Sequence, residues 1–150
     1  MQLLTQKRFT DRFKITAMEG SFYGMETPAH LPAMAVMLRD DLEGQLDQLL
    51  DLFAYEDENG IQLFYFFKSS QLGHTLRLIV KPGEPLYAPS LARIYTSADW
   101  LERECYDMFG VHFESHPRLK RLLLYPEFAG HPLRKHYPID KAQPLIPIYA

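Results

Sequence analysis

The sequence holds a single cysteine, Cys105, among 150 residues. A lone thiol excludes an internal disulfide, and it excludes an iron–sulfur cluster held only by this chain's cysteines, which takes about four thiolates. Long hydrophobic runs are missing too. The aromatic stretch Leu63-Phe64-Tyr65-Phe66-Phe67 covers five residues, against the roughly 20 that a membrane-crossing helix needs. Behind the charges of Met1-Gln2-Leu3-Leu4-Thr5-Gln6-Lys7-Arg8 there is no apolar segment of the kind a secretory signal requires. These absences predict a soluble, intracellular chain. No phosphate loop, dinucleotide fingerprint or Gly-x-Ser-x-Gly elbow is present, and no repeat of structural length.

What is present suffices for one domain: 47% apolar and 13% aromatic residues fill a core of ordinary size. Charge is distributed unevenly. Residues 115–141 carry six Lys or Arg against two Asp or Glu, a balance of +4 that leaves −7 for the remainder of a chain whose net charge is −3. A basic end of this kind suits an acidic partner.

Alternation of Phe13, Ile15 and Ala17 with Arg12, Lys14 and Thr16 predicts a strand within residues 9–23, with turns at Gly20 and Gly24. Thr27-Pro28 is a helix start, Thr as cap and Pro at the first helical position. The helix runs to about Arg39, and Leu31, Met34, Ala35 and Leu38 form its apolar stripe. Leu46 to Tyr55 reads two ways, as a helix through Leu46, Leu49, Leu50 and Phe53 or as alternation of Leu50, Leu52 and Ala54. Glu58-Asn59-Gly60 marks a hairpin, which favours a strand before it. Ile61 to Lys68 and Thr75 to Val80 follow as strands, stopped by Pro82-Gly83 and Pro85. Leu86 to Tyr95 predicts a last short strand with an irregular start.

A second helix opens at Ser97-Ala98-Asp99, with Ser97 as a cap candidate, and closes at Gly110, which can take the left-handed conformation. Leu101, Cys105 and Met108 share its apolar face, and Glu102, Arg103, Tyr106 and Asp107 lie on the others. Beyond it Pro117, Pro126, Pro132, Pro138, Pro144 and Pro147 forbid long regular elements. The division expected is an α+β domain over residues 1–110 and an extended tail over 111–150, within one structural domain.

Several chemistries compete for the polar residues. His112 and His116 are four apart, but Gly110 and Pro117 bracket them and deny the helix that would aim both imidazoles at one metal. The ordinary role for His116 and His131 is to pin nearby backbone in the His116-Pro117 and His131-Pro132 turns. Glu102, Glu104 and Asp107 supply paired carboxylates of the sort used in acid–base catalysis, whereas Arg103 and Asp107, four apart, can simply pair. Arg before Asp is the weaker order of such a pair, which points these charges toward another chain. Cys105 reads as a small core residue. Arg118, Lys120, Arg121, Arg134 and Lys135 could meet phosphates, yet no nucleic-acid fingerprint accompanies them. Interleaved Leu119, Leu122, Leu123, Leu124, Tyr125 and Leu133 need burial, and a protein groove provides it.

The order Glu102-Arg103-Glu104-Cys105-Tyr106-Asp107, Phe109-Gly110, His116-Pro117-Arg118-Leu119-Lys120-Arg121 and Gly130-His131-Pro132-Leu133-Arg134-Lys135-His136-Tyr137-Pro138 resembles the signature of the 30 kDa subunit of respiratory complex I. This is the C subunit of the proton-pumping NADH:quinone oxidoreductase. Lys120 stands where the family usually has Arg, which loses a bidentate fork, and His136 stands where Asp is usual. The resemblance implies an α+β fold, a small mixed or antiparallel sheet with helices packed on it and a Pro-rich tail behind. It implies a non-catalytic subunit with no cofactor of its own, in a complex that uses NADH, FMN, iron–sulfur clusters and quinone. Its partners would be the D subunit, which helps to form the quinone site, and neighbouring iron–sulfur subunits, with no nucleic acid. It would sit on the cytoplasmic side of the bacterial inner membrane, attached only through the complex. The interface it implies comprises Glu102, Arg103, Glu104, Tyr106, Asp107, His116, Pro117, Arg118, Leu119, Lys120, Arg121, Gly130, His131, Pro132, Leu133, Arg134, Lys135 and Tyr137. The homologous component of a membrane-bound nickel–iron hydrogenase or formate hydrogenlyase is the nearest alternative. A free-standing hydrolase using His116 or His131 with Glu104 is one of another class, and no nucleophile is positioned for it.

On this reading, replacing Arg134 and Lys135 together by Glu abolishes co-purification with the quinone-site subunit, while circular dichroism of the isolated chain stays unchanged.

Overall fold

The computed structural model describes residues 11–18, 22–41 and 45–145. Its centre is a five-stranded mixed sheet in the order β1-β2-β5-β4-β3. The strands are β1 (Ile15–Ala17), β2 (Phe22–Met25), β3 (Gln48–Asp57), β4 (Gly60–Lys68) and β5 (Thr75–Val80). Neighbours run antiparallel except β2 and β5, which are parallel. Between β2 and β3 the chain makes a 3-10 turn, Pro28–His30, and helix α1, Leu31–Asp40. Leu31, Met34, Ala35 and Leu38 are its buried residues, the stripe their spacing predicts. Thr27 has extended backbone but makes no side-chain cap. Gly20, Met1 to Arg8 and Pro147 lie outside the described residues.

β3 resolves the ambiguous segment as a strand, and it shows why the pattern was mixed. The register with β4 slips between Leu49 and Asp51. Leu50 is the extra residue of a bulge, so Leu49 and Leu52 both point inward although three apart. The hairpin closes at Asp57 and Gly60, where Gly60 has φ 109° and the Asp57 carboxylate accepts the Asn59 N–H at 2.7 Å.

Alternation sorts the sheet into two faces. Leu52, Leu63, Tyr65, Phe67, Leu76, Leu78 and Val80 join the helices' buried side chains in one core. The opposite face carries Phe22, Phe53, Phe64 and Phe66. Phe53 stacks on Phe64 with centroids 5.0 Å apart, and the Arg77 guanidinium lies 5.6 Å from the Phe22 ring.

Helix α2 (Ala98–Phe109) runs beside β3 and is flanked by a parallel pair, β6 (Tyr87–Pro89) and β7 (His112–Glu114). The predicted strand 86–95 is thus cut to β6, and it joins β7 rather than the main sheet. Val111 and Phe113 are buried, so residues at the start of the expected tail belong to the folded core. β3 is an edge strand, and an open edge invites pairing with other chains. Here α2 and the segment before it close that edge: Tyr95 Oη donates to the Leu46 carbonyl at 2.8 Å, Ser97 Oγ to Leu49 at 2.7 Å and Cys105 Sγ to Leu52 at 3.7 Å. Ser97 therefore does not cap the helix; its hydroxyl is used on the strand. Gly110 ends α2 with φ 80°.

Layer assignment makes the two faces unequal in stability. Leu78→Ala, in the core, is expected to lower unfolding free energy by about 2–5 kcal/mol, and Phe53→Ser, on the open face, by about 1 kcal/mol. Urea denaturation of the two variants checks this; equal losses contradict the assignment.

Candidate docking site

The charged residues of α2 face inward more than the sequence suggests. Glu102, Arg103 and Asp107 are buried, whereas Leu101 and Met108 are only half-buried. Arg103 and Asp107 do not pair with each other. Asp107 Oδ2 accepts the N–H groups of Leu122, Leu123 and Leu124 at 3.0, 2.8 and 2.9 Å. Its Oδ1 accepts Arg121 Nη1 at 2.7 Å. Arg121 then donates through Nη2 to the carbonyls of Phe128 and Gly130, each at 2.9 Å. Arg103 spans the same segment, with Nε and Nη2 on the carbonyls of Lys120 and Arg121 at 3.2 Å.

Burial pushes the Asp107 carboxyl up, but the Leu124, Leu122 and Leu123 N–H groups and the Arg121 guanidinium together outweigh it, and the group titrates below its ordinary range. Glu102 goes the other way. Burial raises it to about 7, against opposing hydrogen bonds from Ser90 Oγ and the Leu91 N–H, both at 2.6 Å.

The two histidines behave as backbone pins. His116 Nδ1 accepts the Arg118 N–H at 3.1 Å, so its hydrogen sits on Nε2, which faces the Asp99 carbonyl at 3.2 Å and the Glu102 carboxylate at 3.8 Å. His131 Nδ1 donates to the Asp107 carbonyl at 3.0 Å. The His131 ring lies on Gly110, where an added Cβ would come within 2.7 Å of it. Gly110 is thus required by close approach as well as by backbone angle. Arg118 pairs with Asp99 at 2.7 Å and holds its carboxyl down.

Past Glu114 the described tail has no helix or strand. It is a succession of turns, not a straight strap. Tyr125, Phe128 and Tyr137 pack ring to ring, with centroids 5.6 and 6.1 Å apart, and Gln143 bonds Tyr137 and the Ala129 backbone. The turn at Leu133 returns to α2, its N–H on the Met108 carbonyl at 3.1 Å. Arg134 forms an ion pair with Glu56 of β3 at 3.2 Å, and the Lys135 N–H donates to the same carboxylate at 2.7 Å. Arg134 is therefore not a free cation, and reversing it breaks an intrachain latch that the sequence did not reveal. Lys135 is exposed, which makes it the cleaner probe of a partner.

Of the expected interface residues, Glu104, Pro117, Arg118, Lys120, Leu133 and Lys135 are exposed. Tyr106, His116, Leu119, Arg121, Gly130, His131, Pro132, Arg134 and Tyr137 are partly covered by the chain itself. Leu123, one of the leucines expected to need a protein groove, has 63% of its surface open, and Trp100, absent from the expected interface, has 56% open. Trp100 was legible, since it falls off the Leu101–Cys105–Met108 stripe. Among the described residues no cluster of three or more His, Cys, Asp or Glu is placed to hold a metal ion. Burial raises the Cys105 thiol well above its ordinary value, opposite to what a nucleophile needs. A cleft of about 410 Å³ between β1, β2 and the β3–β4 hairpin is lined by Thr16, Met18, Glu26, Asn59 and Lys81, and by no residue of α2 or the tail.

Residues 26–143 match the family model described as respiratory-chain NADH dehydrogenase, 30 Kd subunit. Similar proteins include the NADH-quinone oxidoreductase C/D subunit of Bdellovibrio bacteriovorus, 36% identical over 95% of this chain and 26% of that protein. The NADH-quinone oxidoreductase C subunit of Mycolicibacterium paratuberculosis is 38% identical over 74% of this chain and 49% of its own length. The corresponding protein of Caulobacter vibrioides is 39% identical over 68% and 53%. The chain thus spans about half the length of these last two relatives. A trypsin-resistant fragment of Nqo5 shares the fold with TM-score 0.56 at 22% identity, over 79% of this chain and 97% of the fragment.

Asp107→Asn removes the charge that the three N–H groups and Arg121 converge on, and it leaves Arg121 uncompensated. A loss of about 3 kcal/mol is expected near neutral pH. Because the folded carboxyl titrates low, its contribution is complete above the ordinary carboxylate range and fades as pH falls through the folded value. Urea titrations at several pH values should show wild type and variant converging in acid; a constant gap contradicts the assignment.

Proposed function

The chain belongs to the family of the respiratory-chain NADH dehydrogenase 30 Kd subunit, and from that premise we propose that it is a non-catalytic docking component in the hydrophilic arm of an NADH:quinone oxidoreductase. Its principal partner is the quinone-site subunit, with iron–sulfur subunits as neighbours. NADH, FMN, iron–sulfur clusters and quinone belong to those other subunits. Attachment to the cytoplasmic face of the bacterial inner membrane is through the complex. In support, no helix among the described residues is long and apolar enough to cross a membrane.

One observation carries the reading: the inward charges of α2 hold the tail in a defined shape while its apolar and cationic side chains stay outside. Leu133 keeps 55% of its surface exposed, and Arg118, Lys120 and Lys135 are exposed around the same segment. A tail fixed from within and unsatisfied without suits a partner that buries the leucines and answers the cations.

Tagged full-length chain recovered from mildly solubilised native membranes is expected to bring the quinone-site subunit, iron–sulfur subunits and NADH:quinone electron transfer with it. Lys135→Glu should reduce that recovery several-fold without changing the chain's thermal midpoint. Hydrogen-dependent activity with bound nickel would move the chain to a hydrogenase, and recovery of the chain alone would overturn docking altogether.

A further inference from the structure

Trp100 is the sole tryptophan of the chain, and more than half of it lies open on the surface of α2. An indole carries a large apolar area, and in a folded chain such area is usually covered. This ring is nevertheless held in place. The Arg103 guanidinium stacks against it, 5.2 Å from the ring, and Arg103 is itself fixed by the carbonyls of Lys120 and Arg121. The indole N–H donates to no described residue. An aromatic ring backed by a clamped cation, with more than half its surface open, has the form of a binding hot spot, because little freedom is left to lose on contact.

Its surroundings define what fits it. Arg103 draws the Lys120 backbone beside the platform, and Arg118 is tied to Asp99, the residue before Trp100. Arg118 and Asp99 answer each other's charge, whereas the exposed Lys120 side chain has no ion pair among the described residues. Glu104, one turn along α2 from Trp100, is exposed as well and adds a charge of the opposite sign.

We propose that Trp100 anchors the docking surface, inserting into an apolar recess on a protein partner whose rim carries a carboxylate for Lys120 and an acceptor for the indole N–H. This rests on the docking reading above, with the proposed quinone-site subunit as the partner. The surface reaches the ring only because Arg103 joins helix and tail, so the anchor belongs to neither segment alone.

The test uses full-length wild type, Trp100→Phe and Trp100→Ala, each titrated with the purified quinone-site subunit. Fluorotryptophan incorporated into this chain gives a single fluorine resonance as a direct reporter. The wild-type resonance should shift on adding the partner, and Trp100→Ala should raise Kd on the order of 30-fold. Trp100→Phe, which keeps a ring over Arg103, should fall between the two. Thermal midpoints should stay together, since the ring is exposed and Arg103 keeps its carbonyl partners. If Trp100→Ala binds within about twofold of wild type, at the precision of such arithmetic, the anchor is overturned while docking stands. Absence of wild-type binding overturns the docking reading and the anchor with it. A resonance that moves with the concentration of the chain alone assigns the patch to a second copy and also overturns the proposal.

Discussion

The Asp107 carboxylate is the constraint on which the second half of the molecule depends. A proline-rich segment cannot satisfy its backbone in a helix or sheet, and buried N–H groups without acceptors are costly. Three consecutive N–H groups of the tail find one acceptor in Asp107. Burying a carboxylate is equally costly unless its lone pairs are filled, and here the tail fills them. Each side removes the other's penalty, and Arg121 extends the arrangement to Phe128 and Gly130. The segment 121–130 is thereby shaped without regular secondary structure.

The density of charge in the motif serves the chain's own backbone. Glu102, Asp107 and Arg103 lie on one helix, but each is committed to a different segment of the chain: the Ser90 hydroxyl and Leu91 N–H, the Leu122–Leu124 N–H groups with the Arg121 guanidinium, and the Lys120 and Arg121 carbonyls. Acid–base work needs a group free to exchange its proton with a substrate, and these three are enclosed by the chain. His116 and His131 are committed likewise, through ring nitrogens that hold backbone. Glu104 alone among the carboxylates of residues 102–107 remains outward. The same helix also closes the edge of β3, so its inner face is occupied along its length.

Local patterns made the fold largely legible. α1 kept its stripe, Glu58-Asn59-Gly60 kept its turn, and β4 and β5 fell where alternation placed them. β3 was ambiguous because a bulge at Leu50 turns a two-residue period into a three-residue step, which imitates a helix. Ser97 misled for another reason: a hydroxyl preceding a helix has cap chemistry, but the Leu49 carbonyl on the strand edge was nearer to its needs. The site was legible as a stretch of chain and not as a set of directions. Helical periodicity assigns faces by hydrophobicity, so Glu102 and Asp107 were assigned outward, and no periodicity reports that a tail 15 residues later will supply three N–H groups. The Glu56 latch on Arg134 and Lys135 joins residues 79 apart in sequence and leaves no local signature.

The division between inward and outward side chains bears on how such a surface can recognise anything. A disordered tail of the same composition would have to be ordered on contact, and that entropy is subtracted from affinity. Here the ordering is carried by interactions that exist without a partner: Asp107 with the 122–124 backbone, His131 with the end of α2, Glu56 with Arg134. What remains outside, Trp100, Leu123, Leu133 and the exposed cations, is then presented on a fixed frame. Substitutions at the inner set should act through the shape of the tail, and substitutions at the outer set through contact alone. The two sets alternate along the same short sequence, so the charge type at a position says little until the direction of its side chain is known.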